Sequence, residues 1–140
     1  MYIPCFRVNI YGIIGDIQKE RLTVEKEPLP NDIQTELDEK FDSNNEATFI
    51  FDDDVSRKVE GIVILCIQNT YYLYFAVEEN EENVQILTMR IAMENGNLCS
   101  YDLESEEERN LTKNVFEYVY RGLSGEKDDD LPFISKRKRH

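Results

Sequence analysis

The sequence predicts an α+β fold. We expect an antiparallel sheet or small, partly open β-barrel of about five to seven strands, with one helix after the first strand or strands and a capped amphipathic helix near the C-terminus. Three observations lead there. Apolar residues alternate with period two in several segments, among them residues 3–14, Tyr71–Val77, Val84–Met93 and Leu98–Leu103. Asn95-Gly96 sits between two such runs, and that dipeptide supplies the two positive φ angles of a type I′ hairpin turn at least cost. Ser105-Glu106-Glu107-Glu108 is a capping box followed by apolar residues at helical spacing.

The elements follow in order. Residues 3–14 alternate, with Phe6, Val8 and Ile10 on one side and Arg7 and Asn9 on the other; Pro4 suits a strand start. Gly12 and Gly15 loosen the chain before Asp16–Glu27, which extends this strand or forms a second one through Leu22 and Val24. Pro28-Leu29-Pro30 stops it. Asn31 is the expected N-cap of a first helix, with Gln34 three residues on and Ile33, Leu37 and Phe41 as its apolar stripe. Asp42–Asn45 is loop chemistry, Thr48–Phe51 a short strand, and Asp52-Asp53-Asp54 its end. Val59–Ile67 is nearly all apolar and rich in β-branched residues, so it reads as a central strand covered on both faces. A turn at Gln68-Asn69-Thr70 leads to the aromatic strand Tyr71–Val77 and an acidic loop, Glu78–Asn83. Val84–Met93 puts Leu87, Met89, Ile91 and Met93 on one face. The hairpin returns through Leu98–Leu103 with Cys99, Tyr101 and Leu103 inward. In the last helix Leu111, Val115, Tyr118 and Val119 form the buried stripe, and Gly122 supplies the left-handed stop. The late hairpin and capped helix resemble the end of a pleckstrin-homology-like barrel, and Phe6–Asp16 resembles the first strand of an OB-fold; neither likeness spans the chain. Both helices are expected on one face or end of the sheet.

A chain of 140 residues is one domain by length. We place it at residues 1–125, followed by a disordered tail, residues 126–140, acidic at Asp128-Asp129-Asp130 and basic at Lys136-Arg137-Lys138-Arg139. Cys5, Cys66 and Cys99 are odd in number, far apart and set in apolar runs. They read as small buried hydrophobes of a reducing compartment rather than zinc or redox ligands. The longest apolar stretch, Gly61–Ile67, is far short of a membrane span, and the N-terminus lacks the pattern of a signal peptide.

Reaction chemistry is sparse. The single histidine is His140, which removes imidazole-based acid–base, nucleophile-activating and metal sites from an ordered pocket. Gly12-Ile13-Ile14-Gly15 lacks the third glycine and following helix of a phosphate loop. Asp52, Asp54 and Ser56 are spaced as in a calcium loop, but Arg57 stands at the glycine position and Val63 at the closing glutamate. We therefore expect no catalytic set, no cofactor and no metal: the chain is not an enzyme.

Charge narrows the partners. The net charge is −13; Lys136–Arg139 hold four of the 16 basic residues, which leaves 12 against 29 acidic ones, a formal −17, over residues 1–135. Such a surface disfavours nucleic acid and anionic membranes and suits a protein partner with a basic surface. The candidate partner-binding residues are Tyr72 and Tyr74, if their sheet face is open, with Glu78, Glu79, Glu81 and Glu82; Lys136, Arg137, Lys138 and Arg139 are the candidate targeting tail. The expected function is a non-catalytic protein-binding subunit or adaptor of a larger complex, with an assembly or chaperone factor as a variant. Its expected location is the nucleus, with the cytoplasm as the other compartment. The alternative is an acidic, virus- or phage-type inhibitor that mimics nucleic acid to block a nucleic-acid-binding protein.

Overall fold

The computed structural model describes residues 3–11, 21–78 and 83–124. Among these residues it has seven strands and two helices: β1 (Cys5–Tyr11), β2 (Arg21–Lys26), α1 (Asn31–Lys40), β3 (Glu46–Ile50), β4 (Ser56–Ile67), β5 (Thr70–Glu78), β6 (Val84–Glu94), β7 (Asn97–Tyr101) and α2 (Glu106–Ser124). The α+β class and the places of both helices agree with the sequence. The sheet is open and mixed, in the order β2-β1-β4-β5-β6-β7, with β3 also on β4. β3 to β7 form an antiparallel meander, whereas β1 runs parallel to β4 through Cys5↔Ile64 and Arg7↔Cys66. β4 is long enough, at 12 residues, to seat β3 along its first half and β1 along its second on the same edge. No local turn signal announces that parallel contact.

The helices lie on opposite faces of the sheet, not on one. α1 buries Ile33, Leu37 and Phe41 against Val59, Ile64, Leu73, Phe75 and Ile91. α2 buries Val115, Phe116 and Val119 against Val8, Val63, Leu65, Tyr72 and Tyr74. β5 feeds both cores by alternation: Leu73, Phe75 and Val77 face α1, while Tyr72 and Tyr74 face α2. β4 does so with a bulge. Its register slips between Gly61 and Val63, so Val59 and Ile64, five residues apart, share the α1 core while Val63, Leu65 and Ile67 enter the other. At Gly61 the backbone is packed tightly: a Cβ there would collide with Ile3 Cδ1 and lie 3.5 Å from Phe41 Cε2. No helix among the described residues is long and apolar enough to cross a membrane.

Several local expectations change. Pro30, not Asn31, is the N-cap of α1: its extended backbone (φ −54°, ψ 141°) carries the carbonyl that accepts the first helical bond, from Gln34 N at 2.9 Å. Asn31 is therefore already in the helix, and Gln34 bonds Asp38 instead. Ser105 does cap α2, accepting from Glu108 N at 3.0 Å. α2 runs through Gly122 to Ser124. Its buried stripe includes Thr112 and Phe116, while Tyr118 is 41% exposed. The Asn95-Gly96 turn is as expected, with φ of 53° and 81°. Leu98 enters the α1 core; Cys99 and Tyr101, on the other side of β7, are half-buried. Cys5 and Cys66 are buried.

Candidate functional site

Tyr72 and Tyr74 lie beneath α2, so the open face that would have made them partner-binding residues is not there. Tyr74 stacks on Phe116 with ring centroids 4.7 Å apart and donates to the Thr112 carbonyl at 2.7 Å. Tyr72 donates to Glu108 Oε2 at 2.7 Å. Burial, and for Tyr72 also the Glu108 carboxylate, pushes both phenols well above the ordinary tyrosine pKa, which keeps them neutral donors. Glu78 is exposed at the end of β5. Glu79, Glu81, Glu82 and the tail residues Lys136, Arg137, Lys138 and Arg139 lie outside the described residues.

The α1 face is the open one. α1 has only 10 residues and covers part of the sheet. Beyond it lies a groove of about 640 Å³ between α1, the end of β3 and the β6–β7 hairpin. Phe49, Phe75, Leu87, Met89 and Ile91 line its apolar part; Leu98 and Ser100 of β7 form one lip, and Ile50 and Phe51 the other. Alternation makes this apolar face: Leu87, Met89 and Ile91 are two residues apart on β6, and Phe49 reaches Phe75 edge-on with centroids 5.5 Å apart. Ile50 is 74% exposed at the lip. The charged lining residues are Asp52, Asp102 and Lys40. Beside it, Arg57 lies over the Phe51 ring at 5.0 Å and grips Asp53 with two bonds of 3.1 and 2.6 Å. Arg57, helped by the Val55 amide, pulls the Asp53 carboxyl down to about 2.

Two other polar groupings lie away from the groove. At the β4–β5 turn, Glu27 takes a two-pronged bond from Arg7 and a 3.0 Å bond from Tyr71, while Arg7 also reaches Asn69 at 3.2 Å. Burial works to raise the Glu27 pKa, but these donors outweigh it and hold the carboxylate ionised. Its Arg7 guanidinium is occupied, so this cluster ties β1, the segment after β2 and β5 together. Burial drives the neighbouring Cys5 thiol up to about 12, which makes it a poor nucleophile. Against α2, a cleft of about 400 Å³ is lined by Ile86, Leu103 and Phe116 with Arg109 and Lys113. Arg109 donates from Nη1 to the Leu103 and Glu104 carbonyls.

The groove is not evident from the sequence, although part of its signal is present there. The shared face of Leu87, Met89, Ile91 and Met93 is legible; that α1 is too short to cover it is not. Among the described residues no cluster of three or more metal-ligating side chains occurs. Comparison of the chain with protein-family models, with curated proteins and with solved structures finds no match.

Proposed function

We propose that this protein is a non-catalytic protein-binding subunit or adaptor that receives a partner with a basic surface in the groove on the α1 face. The observation that carries the reading is the groove itself: an open apolar trough of about 640 Å³ with Asp52 and Asp102 in its lining, on a chain of net charge −13. Apolar area gives such an interface its affinity, and the acidic surround gives it approach rate and choice of partner. The Lys136–Arg139 cluster supports nuclear delivery of the assembly.

Ile50 makes the test clean, because it is exposed at the groove lip and a change there leaves the core intact. Partner recovery from native cells should be strong with the wild-type chain and lost with Ile50→Lys combined with Asp102→Lys, at unchanged thermal stability. Equal recovery by the double variant would remove the groove as the binding surface. For the tail, changing Lys136, Arg137, Lys138 and Arg139 to Ala should leave the melting temperature unchanged and abolish nuclear enrichment over a passive control.

The formal −17 of residues 1–135 supports a second reading, an acidic inhibitor that occupies a nucleic-acid-binding groove. Competition separates the two. Duplex DNA should displace the captured partner under the inhibitor reading and leave it bound under the adaptor reading.

A further inference from the structure

β7 ends the sheet, so among the described residues its outer edge pairs with no strand. Which backbone groups it presents follows from the hairpin. Glu94 and Asn97 flank a two-residue turn and form a hydrogen-bonded pair, so Met93↔Leu98 and Ile91↔Ser100 are non-bonded pairs. The N–H and C=O groups of Leu98 and Ser100 therefore point outward. At Leu98 the outward N–H is already taken: it donates to Glu36 Oε1 of α1 at 3.1 Å. Among the described residues no such carboxylate stands at Ser100, which is exposed. One end of the edge is thus guarded by a carboxylate from the neighbouring helix, and the other is open among the described residues.

The open end borders the groove. Leu98, Ser100 and Asp102 alternate along one side of the chain, and all three line it. Ser100 is the smallest of them, so a neighbouring strand's side chains reach past it to Ile91. We propose that the outer edge of β7 at Ser100 accepts an extended, basic segment of a partner protein as an added strand, whose groove-facing side chains are apolar beside Leu98 and Ser100 and cationic at the end beside Asp102. The proposal deepens the adaptor reading and rests on it. Main-chain bonds give such an added strand its affinity, and the groove selects its alternate side chains. Charge selects against a second copy of this chain, since two molecules of net charge −13 repel.

A capped nine-residue peptide, Lys-Thr-Val-Thr-Val-Thr-Val-Thr-Lys, whose valines and terminal lysines share one face, is the probe, titrated into the full chain by calorimetry. In an added strand only one alternate set of peptide amides faces β7. Two N-methylated versions, one blocked at every threonine and one at every valine and lysine, have the same charge and side chains. We expect one version to bind like the parent and the other at least tenfold weaker. The parent should also slow hydrogen exchange at Ser100 N–H. Glu36→Ala should tighten parent binding severalfold by freeing the Leu98 N–H. Equal binding of both methylated peptides, no protection at Ser100, or no binding of the parent overturns the edge proposal. The adaptor reading is judged separately by partner capture through Ile50, so the two fail independently. A Glu36→Ala chain that dimerises at micromolar concentration in sedimentation equilibrium would assign the edge to a second copy and overturn the basic partner.

Discussion

Tyr72 Oη donates to Glu108 Oε2 at 2.7 Å, and this bond joins the middle of the sheet to the first turn of α2. It also changes the cap. In a full capping box the Glu108 carboxylate would reach back to the Ser105 amide. Here it turns inward, to Tyr72 and, at 3.4 Å, to Arg90, while Ser105 Oγ still accepts from Glu108 N. Tyr72→Phe should therefore cost about 1.5–3 kcal/mol, the range for a hydrogen bond to a charged group. Ser105→Ala should cost about 1 kcal/mol. Urea unfolding of both variants checks these values, and a double-mutant cycle with Glu108→Ala isolates the Tyr72–Glu108 bond. A coupling of zero between Tyr72→Phe and Glu108→Ala would show that the bond is absent in solution.

The rotation of the α2 stripe gives a contrast between neighbours. Val115 has no exposed surface, and Tyr118, three residues on, is 41% exposed. Val115→Ala should lose roughly 2 kcal/mol through lost transfer energy and the space left behind. Tyr118→Ala should stay within about 0.5 kcal/mol, as surface changes do. Similar losses at both positions would mean that α2 packs with a different face.

Gln68 and Asn69 hold φ of 53° and 64° in the β4–β5 hairpin turn. The left-handed region costs an ordinary residue roughly 1–2 kcal/mol, and Gln, unlike Asn, is a poor candidate for it. Gln68→Gly should therefore raise stability by about 0.5–1 kcal/mol even though it removes a side chain. At the β6–β7 turn the opposite holds. Gly96 sits at φ 81°, and nothing comes within 4 Å of where its Cβ would lie, so Gly96→Val fails on backbone strain alone, not on collision. Thermal melts of the two variants should move in opposite directions.

Asp53 sets one acid limit. Its carboxyl is held down at about 2 by Arg57 and the Val55 amide, below the ordinary aspartate value near 3.9. A group whose folded pKa is depressed gives its full contribution above the unfolded pKa and loses it as pH falls through the folded one. Stability from this pair should thus be complete above about pH 5 and decline between about pH 4 and 2. Carbon-detected NMR titration should find the Asp53 midpoint near 2, and Asp53→Asn should flatten that part of the stability profile. A midpoint near 4 would mean that the Arg57 grip is not formed.

Legibility in the sequence followed the range of the interaction. Features set by a few adjacent residues were readable: the Asn95-Gly96 turn, the Ser105 cap, the alternation of Tyr71 to Phe75, the doubly covered run after Val59. Features set by distant partners were not. Nothing near Glu108 indicates that Tyr72, 36 residues away, would claim its carboxylate. Nothing near Cys5 indicates a parallel neighbour at Ile64. The side of the sheet that each helix takes depends on the bulge at Gly61–Val63, which the lack of alternation from Ile62 to Ile67 leaves unplaced in the sequence. The groove belongs to the same class, because an uncovered face is defined by the helix that stops short of it. Tyr72 and Tyr74 stand out in the sequence for their residue type, and their partners on α2 lie beyond the reach of any local pattern.

The sharing of one β4 edge by β1 and β3 has a kinetic consequence. From β3 to β7 each strand pairs with the next through a short connection, so the meander closes by local steps. β1 must instead find the second half of β4 across about 60 residues of chain, a far costlier loop to close. Assembly should therefore run from the meander outward, with the β1–β2 hairpin docking last. In reverse, that hairpin is the unit that detaches first, and it takes Arg7 and Glu27 away from Asn69 and Tyr71 and uncovers Ile64 to Ile67 when it leaves. Native-state hydrogen exchange should accordingly show two tiers of protection, with the amides of Phe6 to Ile10 opening at lower free energy than those of β5.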